Sequence, residues 1–171
     1  GVADLGGSSA VNEAFEQFYA DSVARVVKDT GARERTLRDW IEKELIIGGT
    51  LRGQVIRTPG HTGSLANSTI DALTRVHLLR AERRGGREWV EITHDRLVQP
   101  IRESNAHWRK ANLTLFQQQA ALWAAHERAE GMLLTGAEFD QAKAWADAHL
   151  SDLEDDERDY FANQRGPLCA R

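Results

Sequence analysis

His94 and Asp95 are the residues of this chain best suited to act on a ligand. An imidazole can donate to or accept from an anion near neutral pH, and a neighbouring carboxylate can fix its surroundings. The pair stands at a joint between two kinds of structure. Trp89, Val90 and Ile92 before it are strand-favouring. Leu97, Val98, Ile101 and Trp108 after it fall on one helical face. Thr93 is the expected N-cap, its hydroxyl accepting from an orphan N–H of the first turn. His94 would then lie at a helix start, where backbone N–H groups and the helix dipole favour anions. The plainer alternative is a histidine that caps the helix or bonds a nearby backbone group.

Other chemistry is sparse. The four lysines, Lys28, Lys43, Lys110 and Lys143, lie in no G-x-x-x-x-G-K-[ST] loop, and no acid follows a hydrophobic strand in the Walker B manner. The chain should therefore not hydrolyse ATP by itself. His61, His107, His126 and His149 lack paired metal-ligand spacing, so no metal site is expected. Cys169 is the one cysteine; it cannot pair within the chain and has no base beside it in sequence. Glu154, Asp155, Asp156, Glu157 and Asp159 form an acidic run, read as a solvated helix start.

The elements that must carry the joint are legible by periodicity. Val11, Ala14, Phe15, Phe18, Tyr19, Ser22, Val23 and Val26 form one helical stripe, stopped by Gly31. Leu37, Trp40, Ile41 and Leu45 form a second, ended by Gly48 and Gly49. Residues 50–66 read as irregular, with Leu51, Val55 and Ile56 as candidates for a short strand. The capping pattern from Ser68 to Asp71 opens a third helix, expected over Asn67 to Leu78. Two alternating runs, 78–82 and 88–92, flank an Arg-rich turn containing Gly85 and Gly86, which predicts a hairpin. The order helix, helix, helix, hairpin, helix is that of a winged helix. Beyond Trp108 the chain reads as helical. Capping boxes are expected at Thr135 with Glu138 and at Ser151 with Glu154. The five tryptophans sit mostly on apolar stripes and are expected to pack in cores.

The predicted fold class is thus mainly α with a small β-hairpin: a winged helix followed by a helical extension. The expected divisions are a flexible lead-in at 1–9, the winged helix at 10–110, the extension at 111–163 and a tail at 164–171. Charge supports two parts. Residues 1–110 hold 17 Lys/Arg against 15 Asp/Glu, whereas 111–171 hold 5 against 11. Neither part is basic enough to suggest nucleic acid, and Glu82, Glu88 and Glu91 dilute the field of Arg80, Arg83, Arg84 and Arg87. No apolar run approaches the roughly 20 residues of a membrane span. The opening residues lack the regions of a signal peptide, so a cytoplasmic setting is expected.

Three stretches carry a family resemblance: His77 to Glu82, Trp89 to Leu97, and Ile101 to Trp108. They resemble bacterial STAND NTPases, signal-transduction ATPases related to the AAA+ fold, in which a winged helix follows the nucleotide-binding core. Leu122–Trp123, Met132 to Leu134 and Ala144–Trp145 are similar to the helical region that comes next in that group. His94–Asp95 also resembles the Met-His-Asp motif of NOD-like receptors, with Thr93 in place of methionine. The resemblance implies that His94 contacts the β-phosphate of ADP and holds a resting state, with Asp95 orienting the joint. It implies that the chain is a piece of a larger protein whose NTPase core and downstream sensor or repeat domain are its partners. ADP or ATP would be bound in the intact protein, with no cofactor on this segment itself. The rival readings are a winged-helix DNA-binding regulator and a protein-interaction module without ligand.

Overall fold

The stripe that begins at Val11 belongs to α1 (Val2–Thr30), which ends as Gly31 turns left-handed. The computed structural model describes residues 2–169, with side chains from 9 to 164. Apart from residues 9 and 164, the expected lead-in and tail, Cys169 included, lie outside the described side chains. The buried stripe of α1 is narrower than its sequence suggested. Tyr19, Val23 and Val26 are buried, while Val11, Ala14 and Phe18 stay exposed.

Helix α2 (Glu34–Leu45) buries Leu37, Trp40, Ile41 and Leu45, as their spacing requires. Gly48 and Gly49 do not end it. They form the turn of a small hairpin, β1 (Ile46–Ile47) with β2 (Leu51–Arg52), at φ values of 60° and 75° that only glycine adopts freely. The stretch read as irregular also holds β3 (Val55–Ile56) and a second small hairpin, β4 (His61–Thr62) with β5 (Leu65–Ala66). Helix α3 (Asn67–Arg75) follows. The Gly85–Gly86 turn then joins β6 (Leu79–Arg84) to β7 (Arg87–Ile92), and a 3-10 turn over Asp95–Leu97 leads into α4 (Val98–Asn112). β7 is central in a three-stranded antiparallel sheet of order β3-β7-β6. This is the sheet of a winged helix, completed by a strand from between α2 and α3.

Helix α3 starts at Asn67 as expected but ends three residues early, and its cap is not the expected one. Ala66 takes the N-cap position, and Asn67, the first helical residue, ties its side chain to the Thr62 hydroxyl and the Thr58 carbonyl instead. At the other end His77 sits left-handed at φ 64°. Its N–H reaches the Thr74 carbonyl at 3.0 Å, and the Leu78 N–H reaches that of Leu73 at 3.1 Å. That pairing is a Schellman cap with histidine where glycine is usual. Leu73 and Leu78, both fully buried, supply the apolar residues that accompany such a cap.

A buried polar network ties α1, α2 and α4. Asn105, with no exposed surface, accepts at its Oδ1 from the Tyr19 hydroxyl (2.8 Å) and from Nη1 of Arg38 (3.0 Å). Its amide donates to the Arg38 carbonyl and to Glu42. Arg38 also reaches the Ser104 hydroxyl and Glu34, and its guanidinium lies 5.3 Å from the Tyr19 ring centre.

The chain divides into two compact units, Gly1–His107 and Trp108–Arg171, with the division inside α4. The second unit is built from α5 (Leu115–Ala125), α6 (Gly136–Ala148) and α7 (Asp155–Cys169). Its core is aromatic. Phe116, Trp123 and Tyr160 are buried, with Tyr160 5.2 Å from Trp123 and 5.6 Å from Phe116 between ring centres. Trp40 and Trp123 are core residues, whereas Trp89, Trp108 and Trp145 are only half-buried. Neither expected capping box forms. Thr135 occupies the N-cap of α6 without a side-chain bond, and Ser151 lies in a 3-10 turn before α7. The capping box is instead at Thr114 and Gln117, opening α5. At α7 the buried Glu157 accepts from the Glu154 N–H at 3.1 Å, so that member of the acidic run closes a helix end rather than facing solvent. No helix among the described residues is long and apolar enough to cross a membrane.

Removing the Asn105 amide leaves Arg38 and Tyr19 without their shared acceptor. Asn105→Ala is expected to destabilise the first unit by about 3 kcal/mol, read from urea unfolding. His77→Gly relieves the left-handed residue and is expected to stabilise that unit by about 0.5–1 kcal/mol in the same measurement.

Candidate functional site

The joint after β7 is held from both sides. Val90 and Ile92 point into the core and are fully buried, and Glu91 faces the opposite side of the sheet. The strand stops at Ile92. Thr93 is not an N-cap. Its hydroxyl donates to the His77 carbonyl at 3.0 Å, with the Leu78 carbonyl at 3.2 Å, and its N–H also bonds Leu78. The left-handed turn at His77 brings those carbonyls within reach, so the hydroxyl is engaged before the helix starts.

His94 takes the cap position through its backbone, with φ −139° and ψ 141°. Its carbonyl accepts from the Leu97 N–H at 3.1 Å, which closes the 3-10 turn. The ring is exposed and makes no hydrogen bond or ion pair among the described residues. It borders an open groove of about 460 Å³ lined by Phe15 of α1, His94, Asp95 and Arg96. Arg96 is exposed and likewise unpaired among the described residues. Asp95 is different. Its carboxylate is paired with Nε of Arg52, although its side chain is 79% exposed. Among the described residues the groove therefore presents one paired acid, one unpaired guanidinium and one imidazole.

Arg52 has no signature in the sequence, because its partners lie about 40 residues away. By the register of β3 on β7, with Val55 opposite Val90, a longer β3 would place Gly53 opposite Ile92 and Arg52 opposite Thr93. The chain does not continue that way. The Gly53 N–H bonds the Leu45 carbonyl at 2.8 Å, and a Cβ on Gly53 would meet Ile47 Cγ1 at 3.0 Å. The Arg52 side chain supplies the donors that the diverted backbone does not. Its Nη1 reaches the Ile92 carbonyl at 2.8 Å and the Thr93 carbonyl at 3.4 Å.

Glu91 completes the cluster. It accepts from Arg80 and from the Gln54 amide (3.0 Å), and Nη1 of Arg52 lies 3.9 Å from it. Burial alone would push its carboxyl up, but the bonds from Gln54 and Arg80 and the charges of Arg80 and Arg52 together hold it below the ordinary value. The hairpin arginines are partly engaged by the same cluster. Arg80 is on Glu91, and Arg84 bonds Gln54 and lies 5.2 Å from the Trp89 ring centre.

Of the remaining histidines, two have ring partners among the described residues, whereas the rings of His61, His77 and His126 are exposed and, like that of His94, make no hydrogen bond there. His107 Nδ1 meets Glu16 at 3.0 Å, and His149 stacks on Trp145 with its Nδ1 against the Trp145 carbonyl. No group of three or more potential metal ligands occurs among the described residues. Comparison of the chain with family models, with curated proteins and with solved structures finds no match in any of the three.

Glu91 gives a pH dependence with a definite sign. A carboxyl whose folded value lies below its unfolded one stabilises the fold above the unfolded value, here near 4.5, and that contribution is lost as pH falls through the lower folded value. The first unit should lose stability as pH falls from about 5 through that lower folded value, and Glu91→Gln should flatten that acid limb in chemical denaturation at stepped pH.

Proposed function

We propose that this chain is the regulatory segment of a STAND-class signal-transduction NTPase. His94 would donate to a phosphate of ADP held by the NTPase core of the same protein and stabilise the closed resting state. The second unit would relay input from a downstream sensor or repeat domain. The mechanism is a differential contact in two states, not bond chemistry on this segment. The observation that carries the reading is the His94 ring: exposed, without a hydrogen-bond or ion-pair partner among the described residues, and flanked by residues that are themselves anchored. His149, by contrast, uses Nδ1 within the fold, against the Trp145 carbonyl. The free guanidinium of Arg96 beside it adds positive charge to the same groove. Asp95 fits the orienting role that the resemblance gives it, through Arg52.

DNA binding is the weaker reading. Phosphate neutralisation dominates that kind of affinity, and Arg80 and Arg84 of the hairpin are already engaged by Glu91 and Gln54. Arg75, on α3, lies near Asp71.

The test is His94→Ala in the protein that carries its NTPase core. A charge-assisted bond to phosphate is worth about 1.5–3 kcal/mol, so ADP release should quicken roughly 10- to 100-fold and basal activity should rise. Unchanged ADP release together with unchanged basal activity would sink the proposal.

A further inference from the structure

We infer that Arg52 is the positioning residue of the His94 joint, a side-chain splint that takes the place of the missing continuation of β3. This rests on the reading of His94 as a ligand-facing residue, but its physical content can be tested without it. One guanidinium spans the segment from Glu91 to Asp95: Nε on the Asp95 carboxylate, and Nη1 on the Ile92 and Thr93 carbonyls and toward Glu91. A planar fork of fixed donors can meet acceptors on successive residues at once, which a lysine ammonium cannot do in the same geometry. Thr93 is fixed from the other side by the carbonyls of His77 and Leu78. His94 therefore lies between two anchored neighbours while its own ring remains free. Such an arrangement removes the conformational cost of presenting the ring to an anion.

The splint is also connected to the hairpin. Glu91, which Arg52 faces, is held by Arg80 and Gln54, and Gln54 accepts from Arg84. A continuous polar chain thus runs from the β6 arginines through Glu91 and Arg52 to Asp95. On the other side, the β1–β2 turn that precedes Arg52 is fastened to α4 by Arg102, whose Nη1 donates to the Gly49 carbonyl at 2.9 Å. Arg52 is held in place by its surroundings rather than reaching out from a loose loop.

The experiment uses the isotopically labelled 171-residue chain and its Arg52→Ala, Arg52→Lys and Asp95→Asn variants, plus the Arg52→Ala/Asp95→Asn double variant. Circular dichroism checks each fold. Two readouts follow: amide exchange at residues 93–98 against the core amides of Ile41 and Leu73, and movement of the His94 ring resonances on titration with inorganic pyrophosphate. Arg52→Ala and Asp95→Asn should each raise exchange at 93–98 about 10-fold, equal to about 1.4 kcal/mol, with the core amides unchanged. The double variant should be no worse than Arg52→Ala, because both substitutions act on the one Arg52–Asp95 pair, the first removing its donor and the second its acceptor's charge. Arg52→Lys should recover only part of the protection. In the wild type, pyrophosphate should move the His94 resonances, and Arg52→Ala should weaken that response several-fold. Unchanged exchange at 93–98 in both single variants, or additive effects in the double, would overturn the assignment. Asp95→Asn changes an exposed side chain, so it decides the matter even if Arg52→Ala fails to fold. If pyrophosphate leaves His94 unmoved while exchange responds as expected, the phosphate reading fails and the splint stands. If pyrophosphate moves His94 equally in wild type and Arg52→Ala, and exchange is also unchanged, the splint fails and the phosphate reading stands.

Discussion

A guanidinium buried among three helices sets the frame on which the joint is mounted. Arg38 is charged and almost wholly removed from water, a costly position unless every donor finds a partner. It finds them on α1, α2 and α4 through Tyr19, Glu34, Ser104 and Asn105. Apolar contacts tolerate sliding, whereas a fork of directed bonds fixes rotation and register together. α4 is the helix that the His94 turn feeds, and α1 supplies Phe15 to the groove. The groove walls therefore stand on helices that this polar cluster ties together, with Tyr19 one turn from Phe15 on α1.

The sheet acts in a complementary way. β7 drives Val90 and Ile92 into the core and leaves Glu91 on the other face, where three cationic or amide side chains converge on it. Desolvation of that carboxylate is offset by the bonds from Arg80 of β6 and from Gln54 and by the charges of Arg80 and Arg52. The end of β7 is consequently rigid up to the residue where the ring is displayed. Rigidity beneath a free side chain is what a recognition element requires.

Much of this was legible in the sequence, and the limits have physical causes. The stripes of α1, α2 and α4 have the period of a buried helix face, and Gly85–Gly86 between alternating runs marked the hairpin that the structure contains. Strands of two residues, such as β1 to β5, are too short to show a period, so that stretch read as irregular. The helix end at His77 was hidden because the left-handed position is filled by a residue that does not advertise it. Capping was misplaced at Ser68, Thr93, Thr135 and Ser151, because whether a short polar side chain meets an orphan backbone group is decided by tertiary geometry. Thr93 bonds the turn behind it, and the threonine that does cap, Thr114, is paired with Gln117 in a box that satisfies the same spacing. Arg52 could not be found at all, since pairing across 43 residues leaves no local mark.

The outer strand of the sheet carries a consequence of its own. β6 has no neighbour on one side, and of its six residues only Leu79 is buried, while four of the others are charged. An unpaired strand edge invites a second chain to add on and propagate. Successive Arg80, Glu82, Arg83 and Arg84 side chains make that addition electrostatically and sterically awkward for another copy. The arginines that look like a grip for a polyanion thus also act as gatekeepers against aggregation, and replacing them with apolar residues would trade surface charge for a sticky rim.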